Sequence, residues 1–156
     1  MDISRFYSKT RNLYTETPFS IHDWISDSNQ NSWLFLYCLP SQRTAVQPLL
    51  STWISSAIKG LLTLEPDLNR RIWFIIDEFP SLQKVKNIEV LLTEGRKYGG
   101  YAILSLQSPS QLESVYGRKV SKTIIGNALT KVILAEQDPE IADRISKSFG
   151  DCDERI

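Results

Sequence analysis

Two adjacent carboxylates, Asp77 and Glu78, end the apolar run Ile72-Trp73-Phe74-Ile75-Ile76 and are followed by Phe79-Pro80. A parallel strand covered by helices on both faces reads as a continuous apolar run. Ligands of such sheets collect at the carboxyl ends of the strands. The pair therefore stands where a phosphate-bearing ligand would lie, and it has the form of a Walker B motif. In that chemistry the aspartate helps to hold Mg²⁺, and the glutamate polarises the water that attacks a γ-phosphate. A buried strand that simply runs into an acidic loop has the same local look, so the pair needs support from the rest of the chain.

Two further residues supply it. Arg96 lies in Thr93-Glu94-Gly95-Arg96-Lys97-Tyr98-Gly99-Gly100, and Gln107 ends the apolar stretch Tyr101-Ala102-Ile103-Leu104-Ser105-Leu106. In the last turn of a helix, Arg96 would complement the macrodipole, worth a few tenths of a kcal/mol. Projected into a neighbouring protomer, it would instead stabilise transition-state charge. A polar side chain at the end of an apolar strand wants a partner, and Gln107 can find one in the adjacent loop or in a phosphate oxygen. One part of a nucleotide motor is missing. The Gly-rich loop that cradles phosphates needs Gly-x-x-x-x-Gly-Lys followed by Ser or Thr, and the chain contains no Gly-Lys pair. Without phosphates, two neighbouring carboxylates make a weak Mg²⁺ site, because Mg²⁺ gives up its water reluctantly.

The acidic pair, the Gly-Arg-Lys turn, the strand-end glutamine and the segment Gln111-Leu112-Glu113-Ser114-Val115-Tyr116-Gly117 together resemble one family. It is that of the type IV secretion coupling proteins, the TraD- and TrwB-like conjugative DNA-transfer ATPases, which are RecA-like, FtsK-related motors. The resemblance is clearest from about residue 33 to residue 150 and closest to the TraD branch. It implies an α/β fold, an incomplete RecA-like (P-loop NTPase) parallel sheet flanked by helices. It also implies that Asp77 and Glu78 form the Walker B site, with Asp77 as the Mg²⁺ ligand. By the same resemblance Arg96 reaches the nucleotide of a neighbouring subunit, and Gln107 senses the γ-phosphate. The cofactors of the intact motor would be ATP and Mg²⁺. Its partners would be homologous subunits in a hexameric ring, single- or double-stranded DNA, and relaxosome and secretion components. Its place would be the cytoplasm or the cytoplasmic face of the bacterial inner membrane. The chain looks like the second half of such a motor, inactive in ATP hydrolysis by itself. The alternative is a non-enzymatic interaction module, or remnant, that docks to intact coupling-protein subunits.

The elements that would position these residues follow from periodicity and punctuation. Residues 1–32 are polar, with one short helix from Ser20 that places Ile21, Trp24 and Ile25 on one face. A buried strand is predicted at 33–38, stopped by Pro40. A helix follows at 45–64, its apolar residues spaced by threes and fours and closed by Pro66. The strand at 71–76 carries the acidic pair. A helix at 85–98 ends at Gly99, and a third strand at 102–106 leads to Gln107. A helix capped by Ser110 runs to 116, a short apolar stretch covers 124–129, and a fourth strand is predicted at 131–135. Asp138-Pro139-Glu140 signals a helix start, with Ile141, Ile145 and Phe149 inward and Gly150 at its end. Residues 151–156 are a tail. Alternating strands and helices indicate a parallel α/β sheet. The RecA-like order would put the absent P-loop strand between the third and fourth strands, leaving apolar edges on either side of a gap.

Composition sets the outer limits. The 156 residues suit one domain, and 42% hydrophobic residues with four Trp, six Tyr and six Phe argue against disorder. Formal net charge is zero, so the chain as a whole is no polycationic DNA binder. The local basic groups at Arg70-Arg71, Lys84 and Lys86, Arg96-Lys97, and Arg118, Lys119 and Lys122 read first as solvated surface. Cys38 and Cys152 form no paired motif, which suits a reducing compartment. The single histidine, His22, excludes a His-based metal site or triad. No segment has the character of a signal peptide or a membrane span. Coupling proteins usually carry N-terminal spans, so the beginning of the protein is expected to lie elsewhere. The four tryptophans are expected in core or interface packing rather than as base-stacking platforms.

Overall fold

The computed structural model describes residues 19–27, 31–134 and 139–148. The apolar runs at 72–76 and 100–104 form two parallel strands, β1 (Ile72–Ile76) and β2 (Gly100–Leu104). Ile72 pairs with Gly100 and Ile76 with Leu104. Around them are α1 (Ile21–Ser26), α2 (Arg43–Leu62), α3 (Ile88–Glu94), α4 (Pro109–Tyr116), α5 (Arg118–Asn127) and α6 (Pro139–Ser148). The core joins Phe74 and Ile76 of β1 to Ala57, Ile58 and Leu61 of α2, and to Ile88 and Leu91 of α3. Leu112 and Tyr116 of α4 and Ile124 of α5 extend it.

The sheet is covered on one face. Phe74 and Ile76 are buried, whereas Trp73, Ile75 and Ile103 on the opposite face are each more than half exposed. Trp73 stacks on its register partner Tyr101, ring centroids 4.9 Å apart. The expectation of helices on both faces is thus corrected among the described residues. The run is continuously apolar because both faces are made for burial, but the described helices reach only one.

Among the described residues, two predicted strands do not form. Around 33–38, Leu34, Leu36 and Cys38 are half-buried and alternate with exposed Trp33, Phe35 and Tyr37. That is a strand's period of two, and Leu34, Leu36 and Cys38 line a groove shared with β1. No ladder forms, and without one the segment is no strand. At 131–134 the chain is irregular and open, with Leu134 94% exposed; Ala135 lies outside the described residues. No described segment pairs with the free edge of β2.

The helices follow prediction more closely. Ser20 caps α1 by accepting the amide of Asp23 at 3.2 Å. The helix expected over 85–98 begins only at Ile88, because Asn87 adopts a left-handed backbone (φ 63°) that breaks the approach. It tightens into a 3₁₀ turn over Gly95–Tyr98. Ser108, not Ser110, caps α4, and the apolar stretch at 124–129 lies largely within α5. In α6, Ile141 and Ile145 are half-buried, while Asp138, Phe149 and Gly150 lie outside the described residues. Of the tryptophans, Trp24 packs against the core, whereas Trp33, Trp53 and Trp73 are exposed in the isolated chain and do not belong to its core. Among the described residues no helix is long and apolar enough to cross a membrane.

Candidate functional site

β1 delivers Asp77 and Glu78 to the carboxyl edge of the sheet, and β2 delivers Ser105 and Gln107 to the same edge. The turn after β1 is stapled to the chain after β2. Ser105 N–H donates to the Ile76 carbonyl at 3.0 Å, and Phe79 N–H donates to the Ser105 carbonyl at 2.9 Å. The Ser105 hydroxyl donates to Asp77 Oδ1 at 2.5 Å. Glu78 N–H is shared between Asp77 Oδ1 at 3.0 Å and Ser105 Oγ at 2.9 Å. These bonds hold Glu78 in a left-handed backbone, φ 47° and ψ 49°. For a non-glycine residue that conformation costs on the order of 1–3 kcal/mol and persists only where the surroundings over-determine it. Pro80 then opens a 3₁₀ turn over Phe79–Ser81, with Phe79 and Pro80 buried beneath.

The strained turn aims the Glu78 side chain at two partners. Gln107 Nε2 donates to Glu78 Oε1 at 2.7 Å, and Gln107 Oε1 accepts from Gln111 Nε2 at 3.2 Å. On the other side, Arg43 Nη2 lies 3.4 Å from Glu78 Oε2. A groove of about 440 Å³ runs past these groups and along the uncovered face of β1, lined among others by Leu36, Arg43, Ile75, Asp77 and Glu78. A second hollow, about 540 Å³, lies between α1 and α2 beside His22, Trp53 and Lys59 and contains none of the predicted site residues.

Arg96 is elsewhere. It sits exposed in the 3₁₀ turn before β2, whose end is set by Gly99 at φ 79°. Gly99 and Gly100 join that turn to the amino ends of the strands, Ile72 N–H donating to the Gly99 carbonyl at 2.8 Å. Because the strands are parallel, their full length, roughly 3.3 Å per residue, separates Arg96 from the acidic edge. The structure thus brings Asp77, Glu78 and Gln107 together and leaves Arg96 at the opposite end of the sheet.

Sequence reasoning missed Ser105 and Arg43. Ser105 was in plain view two residues before Gln107, since a hydroxyl beside a strand-end carboxylate is a ready donor. Arg43 carries no local signal; only the fold brings the start of α2 to Glu78.

The donor set fits a share of an Mg²⁺ site rather than a whole one. The Asp77 carboxylate and the Ser105 hydroxyl offer hard oxygens, and among the described residues no group of three or more metal-ligating side chains occurs. Hard oxygens from phosphates and a loop hydroxyl would have to complete it.

A family model described as the type IV secretion-system coupling protein DNA-binding domain matches residues 5–155. The chain belongs to the type IV secretion-system coupling protein family. It is 34% identical to the coupling protein TraD of Escherichia coli over 86% of its own length and 19% of TraD. To the protein VirD4 of Agrobacterium fabrum it is 27% identical over 88% of its length and 20% of that protein. Its structure superposes on the bacterial conjugative coupling protein TrwB, in a sulphate-bound trigonal form, with a TM-score of 0.78 and 36% identity. That match covers 83% of this chain and 32% of the TrwB chain. TrwB has also been solved with ADP and Mg²⁺, matching here at a TM-score of 0.66 over 70% of this chain. The chain thus spans about a fifth of its curated relatives and corresponds to part of a coupling protein. Its α/β fold, with a small parallel sheet, is that of part of the RecA-like motor.

Proposed function

We propose that this chain is the Walker B-bearing part of a conjugative coupling ATPase, which drives DNA translocation when joined to a P-loop half supplied from outside these 156 residues. The observation that carries the reading is the gathering of Asp77, Glu78 and Gln107 at the carboxyl ends of adjacent parallel strands, with Gln107 bonded to Glu78 at 2.7 Å. Asp77, held in place by Ser105, would offer an oxygen to Mg²⁺ on a bound nucleotide. When bound, Mg²⁺ would neutralise phosphate charge. Glu78 takes the proton of the attacking water, and Gln107 reads the γ-phosphate. Arg96 cannot reach its own acidic edge, which favours action on the nucleotide of a neighbouring subunit in a hexameric ring. The motor would contact single- or double-stranded DNA mainly through the backbone, and would meet relaxosome and secretion components at the cytoplasmic face of the inner membrane. The complex of this chain with the P-loop-bearing part of a coupling protein should hydrolyse ATP in a Mg²⁺-dependent way, and Glu78→Gln should abolish that turnover. A stable complex without turnover overturns the catalytic reading.

A second reading has its own observation. The uncovered apolar face at Trp73, Ile75 and Ile103 favours a non-enzymatic module that docks to intact coupling-protein subunits. Binding to such subunits with no effect of Glu78→Gln on their ATPase rate would select it.

A further inference from the structure

The catalytic reading above leaves Arg43 without a role, yet it is the cation on Glu78. It is the first residue of α2, and its guanidinium reaches Glu78 Oε2 at 3.4 Å while Gln107 holds Oε1 at 2.7 Å. Both oxygens of the carboxylate therefore have a protein partner, while the side chain stays 37% exposed and each oxygen keeps acceptor capacity for water. We propose that Arg43 is a positioning residue for Glu78, holding Oε2 throughout the cycle so that Oε1 stays aimed at the attacking water when Gln107 leaves it.

This role rests on the function proposed above and on the asymmetry of the two contacts. Gln107 stands in the loop after β2, where its own Oε1 accepts from Gln111 Nε2 of α4. A Gln107 that turned to a phosphate oxygen would withdraw its N–H from Oε1. Arg43 would then be the side chain, among the described residues, that still fixes the carboxylate. Its backbone is anchored in a twenty-residue helix buried at Ile58 and Leu61, so that grip survives a rearrangement of the loop. A guanidinium suits the task because it is permanently charged and planar, and keeps its direction when the amide leaves. The left-handed backbone of Glu78 sends its side chain across the groove towards α2, where this cation waits.

Two readouts test the role. In the 156-residue chain without nucleotide, carbon-detected NMR of the side-chain carboxylates should show the Glu78 signal shifting and broadening on Arg43→Gln, with a smaller change on Arg43→Lys. An unmoved Glu78 signal in Arg43→Gln overturns the contact and the proposal with it. In the complex with a P-loop-bearing coupling-protein part, Arg43→Gln should lower kcat by on the order of tenfold, a fraction of what a general base contributes, with KM for ATP unchanged. Arg43→Lys should recover most of the loss. An unchanged kcat, or a rise in KM with kcat preserved, overturns the positioning role and leaves Arg43 as surface charge. If the wild-type complex has no turnover, the function proposed above has failed, and the Glu78 spectra alone decide whether Arg43 positions the carboxylate.

Discussion

Ser105 does two jobs with one hydroxyl: it donates to Asp77 Oδ1 and accepts from Glu78 N–H. Ser105→Ala leaves the Glu78 amide with Asp77 alone, and a lost hydrogen bond in a partly exposed corner costs about 1 kcal/mol. Chemical denaturation should show that loss, and the turnover of the assembled motor should fall because Asp77 is no longer fixed. Tyr116 offers a second residue-scale test. Its hydroxyl accepts the Val85 amide at 3.0 Å, its ring lies 5.3 Å from that of Phe79, and burial raises its pKa above 10.0 despite the opposing effect of that backbone bond. A group whose folded pKa is raised keeps its stabilising contribution below the unfolded pKa. It loses that contribution as pH climbs from there through the folded value. Stability should therefore decline above about pH 10 in the wild type, and this Tyr116-linked part of the decline should vanish in Tyr116→Phe. The variant should also lose about 1–3 kcal/mol at neutral pH, because it strands the buried Val85 N–H. An identical alkaline slope in the two proteins would refute the linkage.

At the scale of elements, Gly99 is the joint on which β2 depends. Its φ is 79°, and a Cβ there would lie 2.5 Å from the Arg70 Cβ and 2.6 Å from the Arg70 carbonyl oxygen. Gly99→Ala should cost roughly 1–3 kcal/mol from backbone strain alone, seen as a lower denaturation midpoint with β2 losing amide protection first. Arg96, three residues earlier, makes the opposite prediction. It is exposed in its turn, so Arg96→Ala should leave chain stability within about 0.5 kcal/mol. If it acts as a finger on the neighbour's nucleotide, the same change should lower the ATPase rate of a mixed ring by about 10³-fold or more; an unchanged rate returns it to a capping role. The sequence was most legible where local rules decide the outcome. The Ser20 cap, the apolar stripe of α2, the strand before Asp77 and the Gly99 stop each depend on neighbours in the chain. It was least legible where pairing decides. The segments 33–38 and 131–135 have the residues of strands, but a strand is made by its neighbour, and an apolar run cannot say whether that neighbour is present. Arg43 was invisible for the same reason, since its meaning comes from a contact across the fold. Asp77, Glu78 and Gln107 were readable because strand ends of a parallel sheet converge by topology.

For the whole molecule, the uncovered sheet face and the unpaired strand-like segments are one fact. Trp73, Ile75 and Ile103 face outward, β2 has no second neighbour among the described residues, and Val132 and Leu134 are almost fully exposed. An open apolar face and an unpaired edge invite association, and a chain spanning a fifth of TraD lacks most of the surface a coupling protein has available to cover them. With no Gly-Lys pair to build a phosphate-binding loop, the 156-residue chain on its own should show no ATPase activity, and Mg²⁺-dependent turnover lost in Glu78→Gln would refute that. It should also be marginally stable or self-associating. Adding the P-loop-bearing part of a coupling protein should convert it into a defined complex with a higher melting temperature, because a partner that binds only the folded state stabilises it by mass action. The substitutions Trp73→Ser and Ile103→Ser should separate the two effects: they remove apolar surface from the open face while Phe74 and Ile76, which hold the helices, stay untouched. The double variant should be more monomeric by itself and bind the P-loop-bearing part more weakly. Sedimentation and thermal unfolding, with and without that part, decide the matter. A wild-type chain that is monomeric, unfolds in one cooperative step with several kcal/mol of stability, and gains nothing from the added part would mean that the open face needs no cover.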